Sequence, residues 1–323
     1  MSKAIVIREH GGPDVLHVEA VEVGPPSKGQ VRLRQTVVGI NFHDCYVRSG
    51  LYQTLALPGI PGLEAVGVVD AVGPGVGDFR VGDRVAYITR GYGSYASARL
   101  IDSSFLVRLP DSLDDRTAAA TLLRGLTALM LVKHVFAVRA GHVVLVQAAA
   151  GGVGRLLCQW AKHLGATVIG TVGSDEKARI AAASGCDHTI LYRTENFVDK
   201  VKEITNERGV DVAYDAVGKD TFLGSLQCLA VKGHLANFGQ SSGPIDPFSI
   251  TLLFAKSNSI SRPGVFHYFT GAERDEMSKA LFAALADGVI TADQHHEYAF
   301  DKVAQAHRDL EDRKTAGAVL LMV

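Results

Sequence analysis

The sequence predicts an α/β protein in which a doubly wound parallel sheet is set within a second, β-rich module. Three observations predict it. From about residue 142 to 239, apolar runs of strand length alternate with helical stretches. The first of these runs ends in a glycine-rich turn, AAAGGVG at 148–154, which opens a helix. Before residue 125 the chain instead consists of short alternating or β-branched runs punctuated by Gly-Pro and Gly-Asp turns. Regular alternation of strand and helix implies right-handed crossovers and a parallel sheet covered by helices on both faces.

Taken in order, KAIVIREH, QVRLRQTVVGI, AVGVVDAVG and DRVAYIT read as strands of the first module. From residue 117, TAAATLLRGLTALMLVKHVFAV has no interior proline and reads as one long helix. Strand HVVLVQ, helix 153–164, strand TVIGTV, helix 175–184 and strand HTILY follow, then helix 195–207, strand VDVAYDAV, helix 220–230 and strand GHLANFG. The tail returns to the style of the first module, with a helix at 272–288 and a final strand AGAVLLMV.

The 323 residues are 47% hydrophobic and 21% charged, enough apolar mass for two medium cores. A formal charge of −1 offers no polycationic surface for nucleic acid. The first ten residues hold an apolar run too short for a signal peptide, and no apolar stretch is expected to reach the length needed to span a bilayer, so a soluble cytoplasmic protein is expected. Cys45, Cys158, Cys186 and Cys228 form no CxxC pair and are expected to be reduced, mostly buried thiols.

The glycine turn follows an apolar strand and precedes a second strand ending near residue 172, the spacing of a dinucleotide fold. Small residues at Ala150, Gly151, Gly152 and Gly154 let backbone N–H groups at the helix N-terminus approach a pyrophosphate. NAD specificity places a carboxylate at the end of that second strand, for the ribose 2′-hydroxyl. Here the strand ends at Val172 and continues Gly173-Ser174, with Ser174 as a helix cap and Asp175 in the solvated first turn. Lys177, Tyr192 and Arg193 either bind a 2′-phosphate or are ordinary surface residues.

Eight segments resemble the zinc-independent quinone oxidoreductases of the medium-chain dehydrogenase/reductase superfamily, the group of zeta-crystallin. They are HGGPDVL, GINFHDCYVRSGLY, PGIPGLEAVGVVDAVGPGV, GDRVAY, LRGLTA, AAAGGVGRLLCQWAKHLGATVIGTVGS, YDAVG and NFGQSSG, in order along almost the whole chain. The resemblance implies a GroES-like β-barrel catalytic domain at 1–124, a Rossmann NADPH-binding domain at 125–262 and a return to the catalytic domain at 263–323. It also implies an active-site cleft between the domains and a homodimer formed through the Rossmann sheets.

By position, Asn41, Tyr46 and Tyr52 match the family's active-site residues. Arg124 stands where lysine is usual, and either reaches the cleft or makes an interdomain ion pair. Gly173, Lys177 and Tyr192 match the 2′-phosphate contacts. The matching segments also imply cofactor contacts at Thr127, Ala150, Gly151, Gly152, Val153, Gly154, Ser174, Val217, Phe238, Gly239 and Ser241. Cys45 stands where threonine is common, and SRPGVFHYF at 261–269 is unusual in its aromatic and histidine content.

No metal is expected. The superfamily's first cysteine ligand aligns with Asn41 and its Gly-His-Glu motif reads Gly62-Leu63-Glu64, which removes two zinc ligands. His43 and Cys45 would share one face if their segment were extended, a poor site for tetrahedral zinc. Without a Lewis acid, an acceptor that is already electrophilic suits the chemistry. The expected activity is NADPH-dependent reduction of a quinone, with Tyr52 and Asn41 donating hydrogen bonds to the acceptor oxygen. In the blander reading Asn41 caps a loop and the tyrosines fill an apolar wall. The alternatives are an enone or 2-alkenal reductase, or a zeta-crystallin-like RNA-binding role for which no basic stripe is visible.

Overall fold

In the computed structural model, which describes residues 1–323, the chain opens with an antiparallel pair, β1 (Ser2–Val6) and β2 (His17–Val21). The long strand β3 (Gln30–Ile40) leads into α1 (Phe42–Ser49), followed by β4 (Glu64–Val72), β5 (Arg84–Ile88), β6 (Ala98–Asp102) and β7 (Leu106–Arg108). The segment holding His43 and Cys45 is therefore a helix, not an extended strand. Asn41 sits in extended conformation at its N-cap, with the Asp44 carboxylate accepting from the Asn41 N–H at 2.8 Å. Gly50, at φ 84°, ends the helix in the left-handed region.

α2 (Asp115–Leu129) does not run on as the α-helix expected to 138. From Met130 to Val135 it widens into a π-helical turn, in which the Phe136 N–H reaches the Leu131 carbonyl at 3.1 Å. That carbonyl also accepts from the buried Tyr214 hydroxyl at 3.1 Å. By length and composition, the helix over Asp115–Val135 could cross a bilayer, contrary to the expectation from sequence. Its most apolar window is 78% buried inside the protein, the environment of a core helix.

The alternating block follows: β8 (Val143–Val146), α3 (Gly152–His163), β9 (Thr167–Val172), α4 (Asp175–Ala183), β10 (His188–Leu191), α5 (Phe197–Ile204), β11 (Val210–Asp215), α6 (Phe222–Gln227), β12 (Leu229–Asn237) and β13 (Ser259–Ser261). All its pairings are parallel, in the order β10-β9-β8-β11-β12-β13. This is the 3-2-1-4-5-6 order of a Rossmann sheet, whose ligand crevice lies at the carboxyl ends of the strands where the order reverses, here β8 and β11. Leu145, Ile169, Ile190, Ala213, Phe222, Leu229 and Leu235 form its core.

After α7 (Gly271–Ala286) come β14 (His295–Ala299), α8 (Val303–Glu311) and β15 (Ala318–Met322). β15 pairs antiparallel with β3 and extends a sheet of order β14-β15-β3-β4-β5-β7, with β6 also on β3. Its side chains enclose a second core of Ile5, Leu33, Ile40, Val69, Tyr87, Tyr95, Val319 and Leu321.

By packing, residues 1–123 and 292–323 form one unit and residues 124–291 the other. The sequence placed the return at 263. Residues 263–291 pack with the second unit because α7 turns Met277 and Leu281 inward, Leu281 lying against Gly125 of α2.

A buried polar chain ties α1 to α8 within the first unit. The Tyr95 hydroxyl donates to Asp44 Oδ2 at 3.0 Å and lies 2.9 Å from His307 Nε2. A hydroxyl has one proton, so Nε2 carries the hydrogen toward Tyr95 and Nδ1 is the acceptor. Nδ1 then receives the Arg48 guanidinium at 3.3 Å and the Cys45 thiol at 3.5 Å. Burial, then the Arg48 charge, pushes His307 down to about 3, so the ring is neutral, while burial pushes the Cys45 thiol up and keeps it protonated. Arg48 offsets its own burial with a two-point bond to Glu311 at 2.7 and 2.9 Å. All four cysteines are buried and free, as expected.

Two outcomes follow from this packing. A neutral His307 binds no proton until about pH 3, whereas an unfolded histidine does so near 6.5. The unfolded state thus holds more protons between those values, and stability should fall with acid by about 1.4 kcal/mol per pH unit for this group. Urea unfolding at pH 7, 5.5 and 4.5 measures that slope, and His307→Gln should flatten it. Gly170 lies under Ala149 and Cys186, each 2.6 Å from the place a Cβ would occupy. Gly170→Ala should cost about 1–3 kcal/mol in chemical denaturation.

Candidate active site

In the second unit, the turn after β8 is held to β9. The Ala149 N–H donates to the Thr171 carbonyl at 3.0 Å, and Ala148 takes φ 56° to let Gly151 bond back at 2.9 Å. A Cβ on Gly154 would stand 2.3 Å from the Ala148 oxygen, so only glycine lets α3 start this close to the strand. Ala150 is buried, while Gly151, Gly152 and Val153 stay half-exposed at the helix entry. Gly152 and Val153 present first-turn N–H groups with no intrahelical carbonyl to bond, a cradle for an anion at the positive end of the dipole.

The end of β9 carries the second group. A Cβ on Gly173 would lie 2.7 Å from the Tyr192 hydroxyl and 3.5 Å from Arg193 Nε. The Ser174 hydroxyl caps α4 by accepting the Lys177 N–H at 3.3 Å, which fixes the first turn that bears Lys177. Asp175 is exposed in that turn, as expected. Gly173, Ser174, Lys177 and Tyr192 are thus brought together, and Arg193 joins them. No carboxylate stands at the strand end itself.

The third group lies beyond β11 and β12. Buried Asp215 accepts the Val217 and Gly218 N–H groups at 2.8 and 3.0 Å, and the Phe238 N–H returns to its carbonyl at 2.9 Å. A Cβ on Gly239 would meet the Ala216 oxygen at 2.7 Å, and the Ser241 N–H bonds the same carbonyl. Val217, Phe238, Gly239 and Ser241 therefore share one pair of strand ends. Arg262 donates to Gln240 at 2.9 Å and to Asn237, placing one residue of the atypical 261–269 segment beside them. Arg124 and Thr127 lie one turn apart on α2, the former buried and the latter half-buried.

In the first unit, Asn41 Nδ2 donates to Glu64 Oε1 at 2.9 Å, while Glu64 Oε2 accepts the Leu123 N–H at 3.0 Å. One turn along α1, the Tyr46 ring meets Tyr52 edge-on at 5.1 Å. His43 packs edge-on against Tyr52 at 5.3 Å and bonds the Tyr92 hydroxyl at 3.1 Å. Burial, then the charge of Arg90, pushes His43 down to about 4. Tyr46 and Tyr52 are brought together, and Asn41 caps the helix that bears Tyr46. Glu64 was weighed only as a ligand, and its role in orienting Asn41 had no local signal. Tyr92 had only a weak one, in GYG.

The residues present do not fit zinc. Asn41 is an amide spent on Glu64, Leu63 has no donor, Cys45 faces His307, and His43 faces Tyr92. No three His, Cys, Asp or Glu side chains gather to hold a metal ion. Tetrahedral coordination needs three or four such donors converging.

Residues 27–111 match the family described as the alcohol dehydrogenase GroES-like domain, and residues 152–286 match that described as zinc-binding dehydrogenase. The chain is 43% identical to a 2-haloacrylate reductase of a Burkholderia species, covering 100% of this chain and 99% of that protein. It is 42% identical to the quinone oxidoreductase of Salmonella typhimurium, with both chains covered in full. Among solved structures, the Escherichia coli quinone oxidoreductase complexed with NADPH superposes with a TM-score of 0.97 at 39% identity, over 99% of this chain and 100% of that one. A parallel sheet in Rossmann order, a glycine cradle at its switch point and full-length identity near 40% agree: the chain is an oxidoreductase belonging to the quinone oxidoreductase family of the medium-chain dehydrogenase/reductase superfamily.

Proposed function

We propose that the enzyme reduces a quinone with NADPH, without a metal. The observation that carries the cofactor choice is the end of β9, where Gly173 leaves room beside the Tyr192 hydroxyl and the capped first turn of α4 bears Lys177. A phosphate there meets a hydroxyl and cationic side chains, whereas NAD selection places a carboxylate at this point. The turn at 150–154 takes the pyrophosphate, Val217, Phe238, Gly239 and Ser241 flank the rest of the cofactor, and Thr127 contacts it from α2. The nicotinamide, when bound, supplies a hydride.

The chain's own residues hold the acceptor. Glu64 takes one amide hydrogen of Asn41, and the other is offered to the acceptor oxygen as it gains negative charge. The Tyr52 hydroxyl donates to the same oxygen, Tyr46 forms the wall behind it, and Arg124 lends positive charge. An acceptor that is already electrophilic needs no base to start the reaction, which suits a donor set that does not fit zinc. An α,β-unsaturated carbonyl is a second acceptor class, favoured by the likeness to a 2-haloacrylate reductase.

The same reading makes the protein a cytoplasmic homodimer. The edge strand β13 is paired on one side only, and just before it Ile250, Leu252 and Phe254 are exposed, the last at 88%. An apolar row beside an open sheet edge suits pairing with a second copy.

Two measurements test the site. Lys177→Ala should weaken NADPH binding by about 1.5–3 kcal/mol, the value of a charged hydrogen bond, and leave NADH nearly unchanged. Equal losses for both cofactors in a fluorescence titration would defeat the 2′-phosphate assignment. With 1,4-benzoquinone as acceptor, Tyr52→Phe should lower kcat by about 10²-fold while NADPH binding stays the same. An unchanged rate returns Tyr52 to a packing role.

A further inference from the structure

His43 and Tyr92 are not used by the chemistry above, yet they are joined to it. Tyr92 is buried, and its hydroxyl stands between His43 Nε2 at 3.1 Å and Thr54 Oγ1 at 2.5 Å. Thr54 is exposed, so the line Thr54, Tyr92, His43 begins at solvent. It ends beside the acceptor residues, since the His43 ring lies edge-on to Tyr52, which itself packs on Tyr46.

The backbone is bent to make this line. Tyr92 has φ 55°, a left-handed conformation that a bulky residue rarely adopts. Gly93 follows at φ 87°, and Arg99 Nη1 donates to the Tyr92 carbonyl at 2.8 Å. Strain of this kind persists where the surroundings over-determine it, and it clusters at functional sites.

The charges around the line favour a neutral carrier. His43 faces Tyr52, Tyr92 and the positive Arg90, and Tyr92 faces Arg90, the Asp44 carboxylate and Thr54. Burial and Arg90 hold His43 at about 4, so at neutral pH the ring carries a single proton. With Tyr92 donating to Nε2, that proton sits on Nδ1, which makes no hydrogen bond within the protein.

We propose that Thr54, Tyr92 and His43 deliver a solvent proton to the acceptor oxygen beside Tyr52 once the acceptor has taken its hydride. The proposal rests on the acceptor site assigned above. His43 gives its Nδ1 proton to the oxyanion as Nε2 takes the Tyr92 hydroxyl proton; Thr54 reprotonates Tyr92, and water reprotonates Thr54. One hydride from NADPH and one proton from solvent complete the reduction, and the line returns to its starting state after the ring exchanges its tautomer.

The test uses the full-length enzyme with NADPH and 1,4-benzoquinone. Tyr92→Phe keeps the ring and removes the hydroxyl, and His43→Phe keeps the contact on Tyr52. Each should lower kcat about tenfold or more, in the range of positioned proton transfer, with KM for NADPH unchanged. A solvent deuterium isotope effect should appear, while the primary effect from NADPH deuterated at C4 shrinks toward unity, because proton delivery has become the slow step. Thr54→Val, at an exposed position where folding is not at stake, should give the same pattern more weakly. In the free protein, ¹⁵N signals should show His43 protonated on Nδ1 in the wild type, with that preference lost in Tyr92→Phe.

Wild-type rates and isotope effects in all three variants overturn the relay. So does a loss of rate that keeps the full primary effect, which marks a merely structural role. A wild-type enzyme that binds NADPH but reduces neither the quinone nor an alkenal overturns the acceptor site, and the relay falls with it.

Discussion

The first unit depends on a hydrogen-bonded chain that begins on α8 and ends at Asn41, the N-cap of α1. His307 gives its proton to Tyr95, Tyr95 gives its own to Asp44, and Asp44 takes the Asn41 N–H. Each group has one assignment that satisfies its neighbours, so the tautomer of a buried histidine is fixed by a carboxylate two partners away. The cost of burying these groups is met only when all are present. The network therefore holds α1 in one register, and Asn41, His43 and Tyr46 go where that register puts them.

Glu64 is a buried carboxylate whose two oxygens accept from an amide and from a backbone N–H. Its charge fixes the Asn41 amide, which under the proposed function would donate to the acceptor. Donors of this kind stabilise charge as it develops in the transition state. They cannot activate an alcohol, and this matches a reaction that starts from an electrophile.

The Rossmann unit makes a parallel point with sterics. Gly154, Gly170, Gly173 and Gly239 each lie where a Cβ would meet another atom at under 3 Å. At Gly154 and Gly239 the obstacle is a backbone carbonyl, so those positions tolerate no side chain. At Gly173 it is a tyrosine hydroxyl and an arginine, groups that can recognise a phosphate. Glycine thus allows close backbone approach at Gly154 and Gly239, close side-chain packing at Gly170, and room beside the Tyr192 hydroxyl at Gly173.

The sequence by itself determined whatever rests on neighbours along the chain. The alternation of strands and helices, the cradle at 150–154, the Ser174 cap and the missing carboxylate after Val172 all depend on periodicity and spacing. Even α1 carried its signals, an Asn41-x-x-Asp44 cap and Gly50 at the far end. Only the tertiary structure decided which distant groups meet. His307 lies 262 positions from Cys45 and Tyr92 lies 49 from His43, separations that no local pattern encodes. In the π-helical turn after Leu129, the Leu131 carbonyl accepts from Tyr214, 83 positions away. The packing of residues 263–291 likewise follows from α7 burying Leu281 against Gly125. Local propensity selects the elements, whereas the need of each buried polar group for a partner selects their arrangement, and that partner can come from anywhere in the chain.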